Sequence, residues 1–310
     1  MPAEPESMSV TLDTGDRLHY LDWRRPTDQP AGGLPPLLLV HGLAQTAWAW
    51  APIARRLADA AHVLALDLRG HGLSDSPRTG YELESLAFDA LTVLTANGYG
   101  VDAGGPPAVV AGHGLGALVA ATMADLRPSS VAGLALVDAG WERMAEATGL
   151  DAAEFGRTIG DPPEVLASMA AYLADRRDYD PPSWDADQER AARAAVDEKH
   201  AGHVALVTRV HALRGAVAAM FEYDPAMALL SWAGPLLVCV AESGSADDEA
   251  ARDRRLALDE LLARRAAGGR AAARVARFAG AGHNLMRYRP AEMAAALVEL
   301  LTEAAAYQRS

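Results

Sequence analysis

Cysteine is almost absent from the 310-residue chain: Cys239 stands alone. A lone cysteine cannot close an intramolecular disulfide, which excludes a small disulfide-stapled secreted domain and fits a reducing compartment. Cys239 lies in the apolar run 235–240. That context favours a small buried side chain over a reactive thiol.

Basic residues and long apolar runs are also scarce. Lys and Arg number 28 against 41 Asp and Glu, so the formal net charge is −13, which repels phosphate backbones and anionic membrane surfaces. No run approaches about 18 uninterrupted apolar residues, and the first ten residues carry acids where a signal peptide carries Lys or Arg. We therefore expect a cytoplasmic protein with no nucleic-acid partner and no membrane partner. Nothing in the sequence indicates the oligomeric state.

Short runs rich in Val and Leu alternate with longer, Ala-rich segments that carry charges. This alternation is typical of an α/β fold with a mostly parallel central sheet flanked by helices. The predicted strands are 8–12, 18–23, 36–40, 62–67, 107–111, 131–137, 235–240 and 273–278. The spacers 48–60, 83–97, 116–126 and 291–306 have the length of crossover helices.

The interval 141–233 breaks this rhythm. It has helical character, proline-rich punctuation and no convincing strand, and a helix is predicted over 189–220. An insertion of this length more often folds into a helical cap than into a bare loop. We therefore predict a core formed by residues 1–140 and 234–310, with a helical cap or lid formed by 141–233.

Three local patterns occur in order along the chain. LLLVHGL at 37–43 is followed by DLRGHGLSD at 67–75, VVAGHGLG occupies 109–116, and GAGH occupies 280–283. Together they resemble the α/β-hydrolase superfamily, over nearly the whole chain from about residue 18 to residue 301. The resemblance implies the α/β-hydrolase fold and a site at the turns that follow the strands.

One departure from the superfamily pattern concerns the nucleophile. The pattern G-x-S-x-G has serine at its centre, whereas residues 112–116 read GHGLG. The resemblance thus places Gly114, which has no side chain, at the nucleophile position, and a covalent acyl-enzyme cannot form there. Because glycine tolerates positive φ, we expect the turn to keep its shape. Neither His113 nor Cys239 is expected to act as a substitute nucleophile.

The resemblance also implies the other members of a catalytic site. His283, after the last strand, corresponds to the catalytic histidine. Asp138 is favoured as the carboxylate that orients it, with Glu242 as the second candidate and helix capping as the alternative role of Asp138. The backbone amides of Leu43 and Leu115 correspond to the oxyanion hole.

Substrate contacts are predicted from histidine and aromatic side chains. His200, His203 and His211 share one face of the helix predicted over 189–220. Packing against the sheet is favoured for the group, cavity lining is the alternative, and their spacing supplies only part of a metal site. His203, His113 and Trp48 are taken as the substrate-binding residues, for a small apolar molecule. No metal ion and no cofactor are predicted.

These residues leave several functions open. The first is hydrolysis of a small apolar ester, lactone or other carbonyl compound by His283-assisted water attack, without an acyl-enzyme. The second is a proton-transfer reaction of lyase, isomerase or cyclase type, and the third is binding without reaction. A serine hydrolase into which Gly114 was introduced is also consistent with the sequence. We favour the hydrolase because the turn glycines, the His-Gly turn and the terminal histidine occur together.

Overall fold

The computed structural model describes residues 4–24, 33–159, 168–200, 203–243 and 249–309, leaving aside the side chains of residues 199, 200 and 203. The strands are β1 (Glu6–Thr11), β2 (Arg17–Trp23), β3 (Leu37–Val40), β4 (Val63–Leu66), β5 (Ala108–His113), β6 (Val131–Val137), β7 (Val196–His200), β8 (His203–Leu206), β9 (Leu236–Glu242) and β10 (Ala273–Ala279). The helices are α1 (Ala51–Leu57), α2 (Leu83–Ala96), α3 (Leu115–Leu126), α4 (Met144–Thr148), α5 (Ala152–Ile159), α6 (Met169–Tyr179), α7 (Ala186–Ala194), α8 (Val210–Glu222), α9 (Pro225–Ser231), α10 (Glu249–Ala267), α11 (Leu285–Tyr288) and α12 (Pro290–Tyr307).

One eight-stranded sheet organises the chain, in the order β1-β2-β4-β3-β5-β6-β9-β10. β2 pairs antiparallel with both β1 and β4, and every pair from β4 to β10 is parallel. All eight strands predicted from the sequence overlap a strand of this sheet. The predicted α/β class with a mostly parallel sheet is therefore confirmed.

Helices cover both faces of the sheet. α2 and α3 contribute to the apolar cluster on one face, and α1 and α12 to the cluster on the other. Strands β3, β4, β5 and β6 are buried along their whole length, because a parallel sheet between two helical layers meets no solvent. This explains their unbroken Val, Leu and Ala runs. Within the described ranges, no helix is both long and apolar enough to cross a bilayer.

The interval between β6 and β9 differs from its prediction. Helices α4 to α9 are present, but so is the antiparallel hairpin β7–β8, so the absence of strands and the continuous helix over 189–220 were wrong. Val196 and Val204 are buried, while Asp197 and Glu198 are exposed. The branched side chains of Val196 and Val204 favour strands, and the two strands pair from Val196 opposite Leu206 to His200 opposite His203.

Candidate active site

The turn from β5 into α3 has an uncommon backbone. Gly114 has φ +54° and ψ −121°, a region that side chains rarely adopt. A Cβ built on Gly112 would overlap the carbonyl oxygen of Gly116, and one on Gly116 would overlap that of Val40. Glycine at 112 and 116 therefore lets the turn pack directly on the end of β3.

The space beside Gly114 is open enough for a side chain. An ideal Cβ at this position would lie 3.5 Å from Gly42 Cα and 3.5 Å from His283 Nε2. Both are ordinary contact distances. The His283 ring is therefore directed at the place where residue 114 would carry a side chain.

His283 contacts Asp138 across the carboxyl ends of the sheet. Its Nδ1 lies 2.7 Å from Asp138 Oδ2, and the carboxylate, 2% exposed, accepts a second hydrogen bond from the Ala241 amide at 3.0 Å. Because Nδ1–H donates to the carboxylate, Nε2 presents a lone pair towards Gly114. Glu242, the second candidate acid, pairs instead with Arg277 at 3.2 Å.

Asp138 itself has φ +53°. A non-glycine residue there carries backbone strain of about 1–3 kcal/mol, which persists only where the surroundings over-determine it. Its amide donates to the Cys239 carbonyl at 2.8 Å, and its own carbonyl accepts from Arg254 Nη2 at 3.1 Å. These contacts hold the strained backbone and so fix the carboxylate beside His283.

Arg254 and Glu142 extend this pair, and neither was predicted from the sequence. Arg254 donates to Glu142 at 2.7 Å, lies 3.4 Å from Asp138 Oδ1, and stacks over the Trp141 ring at 4.8 Å. Burial lowers the pKa of Arg254, but the carboxylates of Asp138 and Glu142 outweigh burial and keep it raised. A buried acid of the site is thus compensated by a cation more than a hundred positions away, which no local pattern signals.

His113 lies behind His283 rather than in front of it. It is 1% exposed, and its ring centroid is 4.3 Å from that of His283. Nδ1 lies 3.1 Å from Gln45 Oε1, and Nε2 lies 3.1 Å from the His283 carbonyl oxygen. Burial holds the pKa of His113 well below its usual value, and the neighbouring His283 ring lowers it further. The predicted substrate contact of His113 is wrong, because no ring surface is left to touch a ligand.

Gln45, also missed, joins three loops of the site. Its Oε1 accepts from the Gly42 amide at 3.0 Å, and its Nε2 donates to Asn284 Oδ1 at 2.7 Å. A Cβ on Gly42 would lie 2.7 Å from His113 Nδ1. Glycine at 42 therefore allows Gln45 and His113 to pack against the loop that carries His283.

The Leu43 and Leu115 amides flank the space beside Gly114. Leu115 follows Gly114 directly, and Leu43 follows Gly42, whose Cα borders the same space. Across the residues that the structure describes, neither amide hydrogen bonds to a backbone carbonyl in the turns and loops. Each of the two N–H groups thus lies next to Gly114 or Gly42 in the chain, without a backbone partner among these turns.

Trp48 and His203 are the other two predicted substrate contacts. Trp48 packs edge-on against Trp23 and lies under the Arg190 guanidinium of α7, 3.9 Å from the ring centroid, so its ring is occupied by protein. His203 lies in β8, but its side chain lies outside the described part of the chain. Cys239 is fully buried, which raises its pKa to about 12.

Two buried histidines brace the loops around the site. His41 Nδ1 donates to the Gly42 carbonyl at 2.8 Å, and its Nε2 accepts from the Leu68 amide at 3.0 Å. His71 Nδ1 lies 3.1 Å from the Arg69 carbonyl. Burial lowers the pKa of His71 to about 3, and the nearby His41 contributes to the shift.

Acid should therefore destabilise the fold through His71. The unfolded chain takes up this proton near pH 6.5 but the folded chain only near pH 3, so the stabilisation is complete above about pH 6.5 and is lost as the pH falls below it. In a His71→Gln variant, the free energy of unfolding from urea titrations should fall by about 2 kcal/mol less between pH 7 and pH 5 than in the unaltered chain. Equal losses in the two chains would contradict the assignment.

Comparison with known proteins identifies the family. Residues 37–296 match the profile of the alpha/beta hydrolase family. The chain belongs to the alpha/beta hydrolase family. This alpha/beta hydrolase resembles 2-(acetamidomethylene)succinate hydrolase of Mesorhizobium japonicum, at 34% identity over 146 residues, which are 47% of the chain and 50% of that relative. It also resembles human epoxide hydrolase 4, at 32% identity over 130 residues, 41% of the chain and 32% of the relative.

The aligned regions span about half of the first curated relative and less of the second. Among solved structures, E-2-(acetamidomethylene)succinate hydrolase superposes with a TM-score of 0.74 at 22% identity, covering 96% of this alpha/beta hydrolase and 100% of that chain. At this identity the likeness shows the fold alone.

Proposed function

We propose that this alpha/beta hydrolase cleaves a small apolar ester, lactone or other carbonyl compound by His283-assisted attack of water, without an acyl-enzyme. The observation that carries the proposal is the geometry at Gly114. The turn has the sharp backbone of a nucleophile elbow, yet its residue offers no attacking atom, while His283 Nε2 lies 3.5 Å from where a Cβ would stand. Gly114 thus occupies the nucleophile position, and a water molecule is the attacking group in this proposal.

The chemistry follows from the orientation of His283. Nε2 accepts a proton from a water molecule as the oxygen attacks the carbonyl carbon, and Asp138 stabilises the imidazolium that forms. The Leu43 and Leu115 amides donate to the oxyanion of the tetrahedral intermediate. Collapse breaks the bond to the leaving oxygen, which takes the proton from His283. Two relatives are named as hydrolases, which supports water as the acceptor of the acyl group.

We also propose that the interval 141–233 forms a cap beside this site. Arg287, four residues after His283, donates from Nε to Ser183 Oγ at 2.5 Å and from Nη2 to the Asp180 carbonyl at 3.1 Å. The loop of the catalytic histidine is therefore tied to the inserted helices. A cap held there would border the space beside His283, whose side chain is 55% exposed, and would favour an apolar substrate.

A panel of p-nitrophenyl esters and lactones in ¹⁸O-labelled water tests the reaction type. Multiple turnovers with ¹⁸O in the released acid, and no acyl adduct near residue 114 by mass spectrometry, are expected. Turnover without ¹⁸O in the product would contradict hydrolysis and indicate a proton-transfer reaction instead. Saturable binding without any product would show that the protein binds the compound but does not react with it.

Restoring a side chain at residue 114 tests the position itself. Gly114→Ser places a hydroxyl next to His283 Nε2, at a strain of about 1–3 kcal/mol. We expect a fluorophosphonate to modify residue 114 in this variant, located by peptide mass spectrometry. Gly114→Ala carries the same strain without the hydroxyl and should stay unmodified there. No label at residue 114 in a folded Gly114→Ser protein would show that His283 does not serve this position.

A further inference from the structure

A serine, a histidine and an aspartate are aligned near the β1 edge of the sheet, outside the site at Gly114. Ser7 Oγ lies 2.8 Å from His19 Nε2, and His19 Nδ1 lies 2.7 Å from Asp67 Oδ2. β1 is the edge strand, and four strand positions separate it from β5, about 20 Å at the usual strand spacing. Ser7 on β1 is therefore remote from the Gly114 turn that follows β5, whereas Asp67, directly after β4, lies two strand positions from β5.

Asp67 is held as rigidly as an orienting acid must be. The residue is 2% exposed; its Oδ1 accepts from the Ala47 amide at 2.7 Å and its Oδ2 from the Leu73 amide at 3.0 Å. Burial raises the pKa of Asp67, but hydrogen bonding to His19 and the other polar contacts outweigh it and leave the pKa lowered. The ionised carboxylate therefore accepts a hydrogen bond from Nδ1–H of His19, and the Nε2 lone pair of the ring faces Ser7.

Ser7 is accessible where its partners are not. It is exposed on β1, whereas His19 is 6% exposed. Ser9 pairs directly with His19 in the β1–β2 ladder and is also exposed, two residues along the same strand face. Ser7, and not Ser9, hydrogen bonds to His19 Nε2. Ser9 is therefore a matched control: an exposed serine on the same strand face without that hydrogen bond.

We propose that Ser7 is an activated serine that accepts acyl and phosphonyl groups from small activated esters, with His19 as its base and Asp67 as the orienting acid. In the acyl step, the Ser7 oxygen forms a bond to the carbonyl carbon of an aryl ester, and the bond to the aryl oxygen breaks. The hydroxyl proton passes to His19 Nε2 and then to the leaving aryloxide. Atoms and charge balance without a further reactant.

A fluorophosphonate and p-nitrophenyl acetate are the probes for this site. Intact mass spectrometry should show one group added per chain, and peptide mapping should locate it at Ser7. Ser7→Ala should abolish the adduct, whereas Ser9→Ala should retain it at full yield. An adduct that persists in Ser7→Ala, or an unmodified Ser7 under excess probe, would overturn the proposal.

Two further variants separate activation from exposure. His19→Gln, checked for folding by circular dichroism, should slow modification of Ser7 at least about 100-fold, the usual contribution of a general base. Should that variant fail to fold, Ser7→Cys and Ser9→Cys are compared by iodoacetamide alkylation. The first should react about ten times faster, because a histidine partner favours the thiolate. Equal alkylation rates at residues 7 and 9 would contradict the proposal.

The result is independent of the proposed function. His283→Ala should leave the adduct at Ser7 unchanged, since Ser7 lies four strand positions, about 20 Å, from β5 and makes its hydrogen bond to His19 rather than to His283. A failure at His283 and a failure at Ser7 are therefore distinguishable. Labelling of the Gly114→Ser variant is best performed in a Ser7→Ala chain, so that any adduct reports on residue 114 alone.

Discussion

Replacing His283 with alanine in a Ser7→Ala chain is expected to abolish turnover of any substrate that the ester and lactone panel identifies, because this chain lacks the serine that is proposed to react with the same esters. The His283 imidazole is the proposed proton acceptor, its Nε2 is directed at Gly114, and loss of a general base lowers rates by about 10²–10⁴-fold. Because the proposed mechanism has no covalent nucleophile, this loss should bring the reaction close to its uncatalysed rate in water. Initial rates at saturating substrate measure it, and unchanged turnover would refute the assignment.

The acid that orients His283 has a matched control in the chain. Asp138→Asn keeps the shape of the side chain but removes the charge that fixes the Nδ1–H tautomer, so a loss of up to about 10⁴-fold is expected. Glu242→Gln changes charge in the same way at the carboxylate that pairs with Arg277. This second variant should keep its activity. The reverse outcome would make Glu242 the acid.

Replacing Gly112 with alanine is expected to prevent folding. The added methyl group would overlap the Gly116 carbonyl oxygen and lie 2.5 Å from the Ala117 amide nitrogen. The backbone cannot retreat, because β5 is paired with both β3 and β6 and Gly116 itself lies against Val40. We expect a loss of more than about 4 kcal/mol in the free energy of unfolding, a large part of the stability of a typical domain.

Gly133→Ala provides the comparison in the neighbouring strand β6. Its methyl group would lie 3.3 Å from Ala304 Cβ and 3.4 Å from Leu300 Cδ1, contacts that rotation of Leu300 and a shift of α12 by a few tenths of an ångström can relieve. Urea titration should place this variant within about 1 kcal/mol of the unaltered chain. A soluble Gly112→Ala protein with similar stability would show that the turn is free to rearrange.

The centre of the sheet was predictable because β3, β4, β5 and β6 are buried on both faces and are therefore continuous apolar runs in the sequence. The β7–β8 hairpin was not, because Val196 and Val204 also suit the apolar stripe of a helix. Over so short a stretch, tertiary contacts decide between the two.

The site divides in the same way. Gly114 and His283 stand in turns with local signatures, and Asp138 follows a strand end that meets them at the same edge of the sheet. Gln45 and Arg254 act only across long sequence separations, so neither pattern nor spacing could indicate them. His113 sits in a motif, but whether its ring faces a ligand or the protein depends on packing around Gln45.

The burial of Cys239 has a practical consequence. As the only thiol, fully enclosed in β9 and with its pKa raised to about 12, it is inert to maleimide reagents at neutral pH. The natural chain is therefore already a clean background for single-site spin or fluorophore attachment. In a Tyr179→Cys variant, at a position 79% exposed on α6, the new cysteine would carry the probe alone and report the mobility of the inserted helices in solution.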